Sequence, residues 1–593
     1  MIDNLDASNR DGASTVCQSQ ASSDPHIMKL KFVALAGIAL FFSQASTDGA
    51  RWWAHIEYLA DDALQGRDVG SEGFEKAATY VAGQFEKIGL KPAGVDGYRQ
   101  PVMFESRRLV PDQSQLTLVR DGREEPLVLG QEATLSARGE LNGALEAPMV
   151  FVGYGMSIPE AKWDDLAGVD LHGKVAVYVN MPAPADVPDN VRSHLASAAE
   201  RWAVLKRAGA IGIATIPALR APAATMTPTA SAPSAPSAPT ATGPPAAEVP
   251  APASATPPPG GRGAGGGRGA AGVPPATISL ADPELHEQAG QAVSITITAR
   301  GAAKFLAGSG HTLDELAQLA AANKPLPTFP LAGTLRAKAA LERTTIASAN
   351  IIGVIEGTDP ALKGEYVVMS AHLDHVGVGR PVNGDSIYNG AMDDASGVAS
   401  VIEIARLLKE SGVKTRRSVL FMTQTGEEKG LLGSKYFAAR PTVPFKQIVA
   451  DINLDMFLPL YPLKVIEVQG LTESSLGQTV REAAKAVGVD VQTDREPEQN
   501  RFIRSDQYSF IRAGIPSLAF KFGYEFGSPE EKIRRGWVRD VYHKPSDDLK
   551  QPVDIEAAAK FDRVIMGLLS RVANATERPT WNEDSFFKRF AKP

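Results

Sequence analysis

From about residue 346 onward, short apolar runs alternate with stretches of helical spacing. The runs are 350–355, 366–370, 419–423, 448–452 and 465–468. Between them, Val398, Val401, Ile402, Ala405 and Leu408 form one apolar stripe, and residues 476–486 form another. Such alternation dictates an α/β fold, a central sheet covered by helices on both faces. Sheets of this kind take up ligands at the carboxyl ends of their strands. The residues just after each run therefore deserve the closest reading.

After the second, third and fourth runs, acidic residues or histidine stand close by. His372-Leu373-Asp374 follows the second run, and Glu427-Glu428 follows the third in a glycine-rich loop with Gly426, Gly430 and Gly433. Asp455 follows the fourth. Met392-Asp393-Asp394 precedes the Val398 helix, and Tyr542-His543 lies in a polar loop near the end. Singly, each has a plain reading: Asp394 or Ser396 as a helix cap, Asp455 as a turn residue, His543 as a surface imidazole. Adjacent like charges such as Glu427-Glu428 are costly in a cleft unless solvated or neutralised by a cation. Together the residues supply one His and one carboxylate to each of two metals, plus a shared carboxylate. One Glu can hold a cation while its neighbour accepts a proton from water, the arrangement of a two-metal hydrolase. His372 and Asp374 share a side of the extended chain, so the Asp374 carboxylate is the expected partner of the second His372 nitrogen. His375 is left without a role, and His26, His55, His172, His194, His286 and His311 are read as structural or outside the mature chain.

The rest of the chain narrows the chemistry. Its only cysteine, Cys17, lies upstream of a segment, residues 28–45, that reads as a signal peptide with a basic start and an apolar core. On that reading residues 1–27 are a mis-called extension, and export is to the periplasm or the cell exterior. The mature chain then has no thiol ligand, and oxygen and imidazole donors suit zinc, with manganese or cobalt as substitutes. The apolar core is too short for a stable membrane anchor. A formal charge of -7 gives no sign of nucleic-acid binding. Residues 50–110 carry helical patterns, with Ala78, Val81, Phe85 and Ile88 on one face and Gly89 as terminator. Residues 111–345 read as a β-rich insert, interrupted at 220–277 by a Pro/Ala/Gly-rich stretch too poor in apolar residues to order itself. Residues 346–593 form the α/β part.

These motifs, in this order, resemble the M28 family of zinc peptidases. Gly390 to Gly397 and Gly426 to Ser434 add to the likeness, as do the region from Leu59 to Arg67 and Gly89-Leu90-Lys91-Pro92. Phe151-Val152-Gly153-Tyr154-Gly155 and Ala208 to Gly212 look like a protease-associated (PA) domain. The resemblance implies the zinc exopeptidase, phosphorylase/hydrolase-like fold: a central mixed sheet flanked by helices, with an inserted PA-like domain. It implies two zinc ions, one on His372 and Asp455, the other on Glu428 and His543, with Asp393 bridging. Glu427 would be the general base, Asp374 would orient His372, and Tyr542 would bond the oxyanion or merely pack beside His543. A cis peptide often follows the bridging Asp in that family. Met392 departs from its usual Asn or Asp. The implied activity is an aminopeptidase on peptides or small proteins. A carboxypeptidase using Arg501, Arg504 or Arg512, a single-zinc glutaminyl cyclase and a non-catalytic receptor are the alternatives. Oligomeric state is not implied.

Overall fold

The apolar runs become strands because they have two faces to bury. In the computed structural model, which describes residues 47–141, 143–217 and 276–591, Ser418–Gln424, Ile448–Asn453 and Ser517–Phe522 are buried along their whole length. Strands hidden on both faces read as continuous apolar runs, and parallel pairing is their usual setting. Here Tyr366–His372 pairs in parallel with Ser418–Gln424 on one side and Ile448–Asn453 on the other, and Ser517–Phe522 continues the parallel set. Antiparallel partners flank it, Leu341–Ile355 beyond Ser418–Gln424 and Val465–Gln469 beyond Ser517–Phe522. The result is a ten-stranded mixed sheet among the described residues.

Helices cover both faces. The Val398 stripe is the inner face of Ser396–Glu410, which packs with Glu72–Ile88, Leu476–Ala486 and Ile555–Asn574 in one core. Glu72–Ile88 is capped by the Ser71 side chain and ends at Gly89, whose φ of 82° closes the last turn. Phe437 and Phe510, from the short helices Leu432–Ala439 and Gln507–Arg512, fill a second core on the opposite face. The expected segments 1–27 and 28–45 lie outside the described residues, as does 220–277 save its last two positions.

A second sheet of eight strands, drawn from residues 115–339, has cores of its own. Its link to the large sheet is a long ladder: Arg99–Leu109 pairs with Leu341–Ile355 from Leu109↔Leu341 to Arg99↔Ile351. Thr277–Leu280 does not join the second sheet. It pairs with Arg99–Leu109 and forms an edge of the large one.

One buried acid under the large sheet is not part of any ligand motif. Asp562 lies beside the Ser400 hydroxyl, with Glu403, Asp48 and Arg406 nearby, and burial pushes its carboxyl up to about 8. The unfolded chain releases that proton near about pH 4. The native state therefore holds the extra proton between about pH 4 and 8, and stability falls as pH rises, by at most about 1.4 kcal/mol per unit. Asp562→Asn removes the ionising group. Its melting temperature should exceed wild type at about pH 8, with the gap closing toward about pH 4; calorimetry at the two values checks this.

Candidate metal centre

The parallel strands deliver their carboxyl ends to one crevice. His372 is the last residue of its strand, Asp455 lies two past Asn453, and Glu427 and Glu428 follow Gln424 in a tight loop. Asp393 comes from the turn before Ser396–Glu410, and His543 from the loop after Pro529–Asp540. All but His543 are buried.

The donors converge. His372 Nε2 lies 3.1 Å from Asp393 Oδ1 and 3.8 Å from Asp455 Oδ1. His543 Nε2 lies 3.2 Å from Asp393 Oδ2 and 3.1 Å from Glu428 Oε1. Asp393 thus stands between the two imidazoles, one oxygen toward each. His372 Nε2, His543 Nε2, Asp393 Oδ2, Asp455 Oδ1 and Glu428 Oε1 are shut off from solvent, yet none has a hydrogen-bond partner. Buried polar atoms are almost always satisfied. Lone pairs aimed at common points are what a shared cation requires, so the donor set fits a metal. His372–Asp393–Asp455 forms one three-donor group, and Asp393–Glu428 with His375 forms another, the donor atoms of each within 4.8 Å.

Electrostatics follow the same geometry. Burial disfavours charge on His372, yet Asp393 and Asp455 at its Nε2 hold its pKa well above the imidazole range. Burial likewise opposes charge on His543, and Glu428 and Asp393 overcome it, raising His543 to about 10. Glu428 is held well below the carboxylate range against its burial by His543 and His375. Glu427, 1% exposed, adds its negative charge to those acting on His372.

The contacts of Asp374 differ from the sequence reading. His372 Nδ1–H donates to the backbone carbonyl of Asp374 at 2.9 Å, not to its carboxylate. At a spacing of two residues the carbonyl is nearer the ring. The Asp374 carboxylate instead accepts the backbone N–H groups of Glu427 at 3.1 Å and Glu428 at 3.3 Å, fixing that loop. Asp394 accepts from His372, Gly397 and Met456 N–H, so it caps the helix and ties three segments together. The Asp393–Asp394 peptide is cis. The Tyr542 ring stacks on His543 with centroids 3.9 Å apart. Arg512 is paired with Glu200 and Glu287, and Arg501 with Glu496.

Three residues escaped the sequence reading. Arg67, 1% exposed, donates to the carbonyls of Leu59, Leu373, Asn389 and Gly390. Asp547, fully buried, accepts the N–H groups of Met392 at 2.9 Å and Asp393 at 3.0 Å. His375 places Nδ1 2.9 Å from Glu428 Oε1. Asp547 and His375 sit next to recognised motifs, and that proximity was the only available signal.

The family model described as Peptidase family M28 matches residues 350–569. A probable leucine aminopeptidase 2 of Aspergillus oryzae is 29% identical over 34% of this chain and 40% of its own length. Aminopeptidase YwaD of Bacillus subtilis is 28% identical over 39% of this chain and 47% of its own. Leucine aminopeptidase 1 of Trichophyton rubrum is 33% identical over 40% of this chain and 61% of its own. The chain spans about half the length of the curated relatives it matches. Among solved structures, an aminopeptidase from Aneurinibacillus sp. strain AM-1 aligns at 20% identity with a TM-score of 0.47, over 91% of this chain and 97% of that one.

Asp547 holds the backbone that carries Asp393. Removing its carboxylate in Asp547→Ala should weaken zinc binding by about 10- to 100-fold, read by competition with a chromogenic chelator. Unchanged affinity would show that the loop holds itself.

Proposed function

We propose that the chain, whose residues 350–569 match the model of peptidase family M28, is a di-zinc aminopeptidase that releases N-terminal residues from peptides or small proteins. The observation that carries the reading is Asp393 standing between two donor groups, with His372 and Asp455 on one side and Glu428 and His543 on the other. Those residues would hold the ions. Zinc at such positions polarises a scissile carbonyl and lowers the pKa of attacking water.

The side chains of the chain do the rest. Glu427 accepts the proton of the attacking water and passes it to the leaving amine. Asp374 anchors the backbone of Glu427 and Glu428, so base and ligand keep their relative positions. The stack of the Tyr542 ring on His543 supports packing over the oxyanion role. Buried carboxylates at Asp393, Glu427, Glu428 and Asp455 make the crevice suited to a protonated α-amine. Of the three candidates for a basic pocket, Arg501 and Arg512 pair with carboxylates and Arg504 donates to the Gln499 carbonyl, which favours an aminopeptidase over a carboxypeptidase.

The second sheet is the PA-like insert and limits the crevice to short substrates. It is fastened to the large unit by Arg512 with Glu200 and Glu287, and by Arg589 with Glu160. The protein is exported through residues 28–45 and works in the periplasm or outside the cell. Among the described residues, no helix is long and apolar enough to cross a membrane.

A panel of fluorogenic aminoacyl amides, with and without chelator, tests the activity, and α-N-acetylated versions should be refused. Glu427→Gln should lose at least about 100-fold in kcat while retaining its zinc, measured by elemental analysis of the same sample. Near-normal turnover in that variant removes Glu427 from the mechanism.

A further inference from the structure

We infer that His375 is a fourth protein donor to the zinc held by Glu428 and His543, so that the two metal positions are unequal. The inference deepens the di-zinc reading above and rests on it.

His375 is fully buried, and neither of its ring nitrogens has a hydrogen-bond partner. Its Nδ1 is 2.9 Å from Glu428 Oε1, the same oxygen that faces His543 Nε2 at 3.1 Å. The N–H direction of the ring does not lie along that short contact, which leaves Glu428 Oε1 unsatisfied as well. An outer imidazole that only steadied Glu428 would aim its N–H at the carboxylate. The two rings meet edge to face, centroids 5.6 Å apart at 73°, both turned toward Glu428 and Asp393.

The seat of the ring is built into the backbone. His375 N–H donates to the Arg67 carbonyl at 3.3 Å, which fixes where the side chain starts. The carbon edge of the ring lies on Gly390, where an added Cβ would stand 2.6 Å from His375 Cγ. Gly390 also has a φ of 64°, a conformation that favours glycine. Any side chain there would displace the ring from Glu428.

The consequence is an asymmetric pair. One position has His372, Asp393 and Asp455, three donors, and so keeps a coordination place for substrate. The other has Glu428, His543, His375 and the shared Asp393, four donors, the complement of a closed tetrahedral zinc site. The first ion should exchange and meet substrate, and the second should stay.

Zinc X-ray absorption on the wild-type holoenzyme tests this without any mutation. Outer-shell imidazole scattering should fit three imidazoles shared by two zinc ions. Two imidazoles shared by two ions overturns the inference and leaves the di-zinc reading standing. Fewer than two zinc per chain defeats that reading itself, and the inference with it. Chelator competition on His375→Gln supplies a second readout. One zinc equivalent should weaken by more than about 100-fold, beyond the usual loss of an outer-shell partner, with the other unchanged. A smaller loss, or equal loss at both positions, overturns the assignment. Should the variant fail to fold, the wild-type spectrum decides.

Discussion

Too much negative charge in too little water is the constraint on which this structure turns. Eight acids around the crevice are buried: Asp374, Asp393, Asp394, Glu427, Glu428, Asp455, Asp506 and Asp547. Isolated buried carboxylates are untenable, so each must be protonated, paired or bound to a cation. The structure sorts them by surroundings. Asp393, Asp455 and Glu428, in contact with imidazoles, are held below the carboxylate range despite their burial. Asp374, Asp506 and Asp547, set back from the imidazoles, are pushed by burial to about 6, 7 and 7. Asp394 is held well above the carboxylate range by the same cause. The inner group is ready to serve as ligands, and the outer group is ready to accept hydrogen bonds without adding full charge.

Cations complete the arrangement from outside. The Arg67 guanidinium feels Asp547, Asp374, Asp394 and Asp393, although its burial pulls its pKa to about 10. Lys521, 6% exposed, donates Nζ to the Asp455 carbonyl. Lys429 pairs with Asp68 at 2.7 Å. Arg67 and Lys521 donate to backbone carbonyls rather than to the inward donor atoms of the metal centre. They lower the cost of the charge while leaving the lone pairs free for metal.

Much of this was legible in the sequence because His372, Glu428 and Asp455 sit at the end of an apolar strand or within four residues of it, where pattern and position agree. The Val398 stripe, the Gly89 terminator and the 476–486 helix were legible for the same reason: each is a local pattern with a local cause. What was not legible depends on tertiary placement. Arg67 reaches backbone carbonyls, which every residue offers, so no partner type could announce it. Whether His372 would find the carboxylate or the carbonyl of Asp374 is a matter of ring reach. The return of Thr277–Leu280 to the large sheet is a pairing across a long excursion, and nothing in four residues names their partner strand.

The supporting contacts also explain why the ligand loops behave as one object. Asp374, from the His372 loop, holds Glu427 and Glu428. Asp394, from the Asp393 turn, holds His372 and the residue after Asp455. Asp547, from the His543 loop, holds Asp393. Arg67 closes the ring between the first and second of these segments. Every loop that presents a ligand, save the one bearing His543, is pinned by a side chain from another such loop. A site built on separate loops would let each ligand wander independently and would have to be reassembled at every encounter with metal. Reciprocal ties instead make the positions of the donors depend on one another, which is how preorganised charge can face a reacting group without rearranging. The same coupling makes the acids outside the metal ligands as consequential as the ligands themselves.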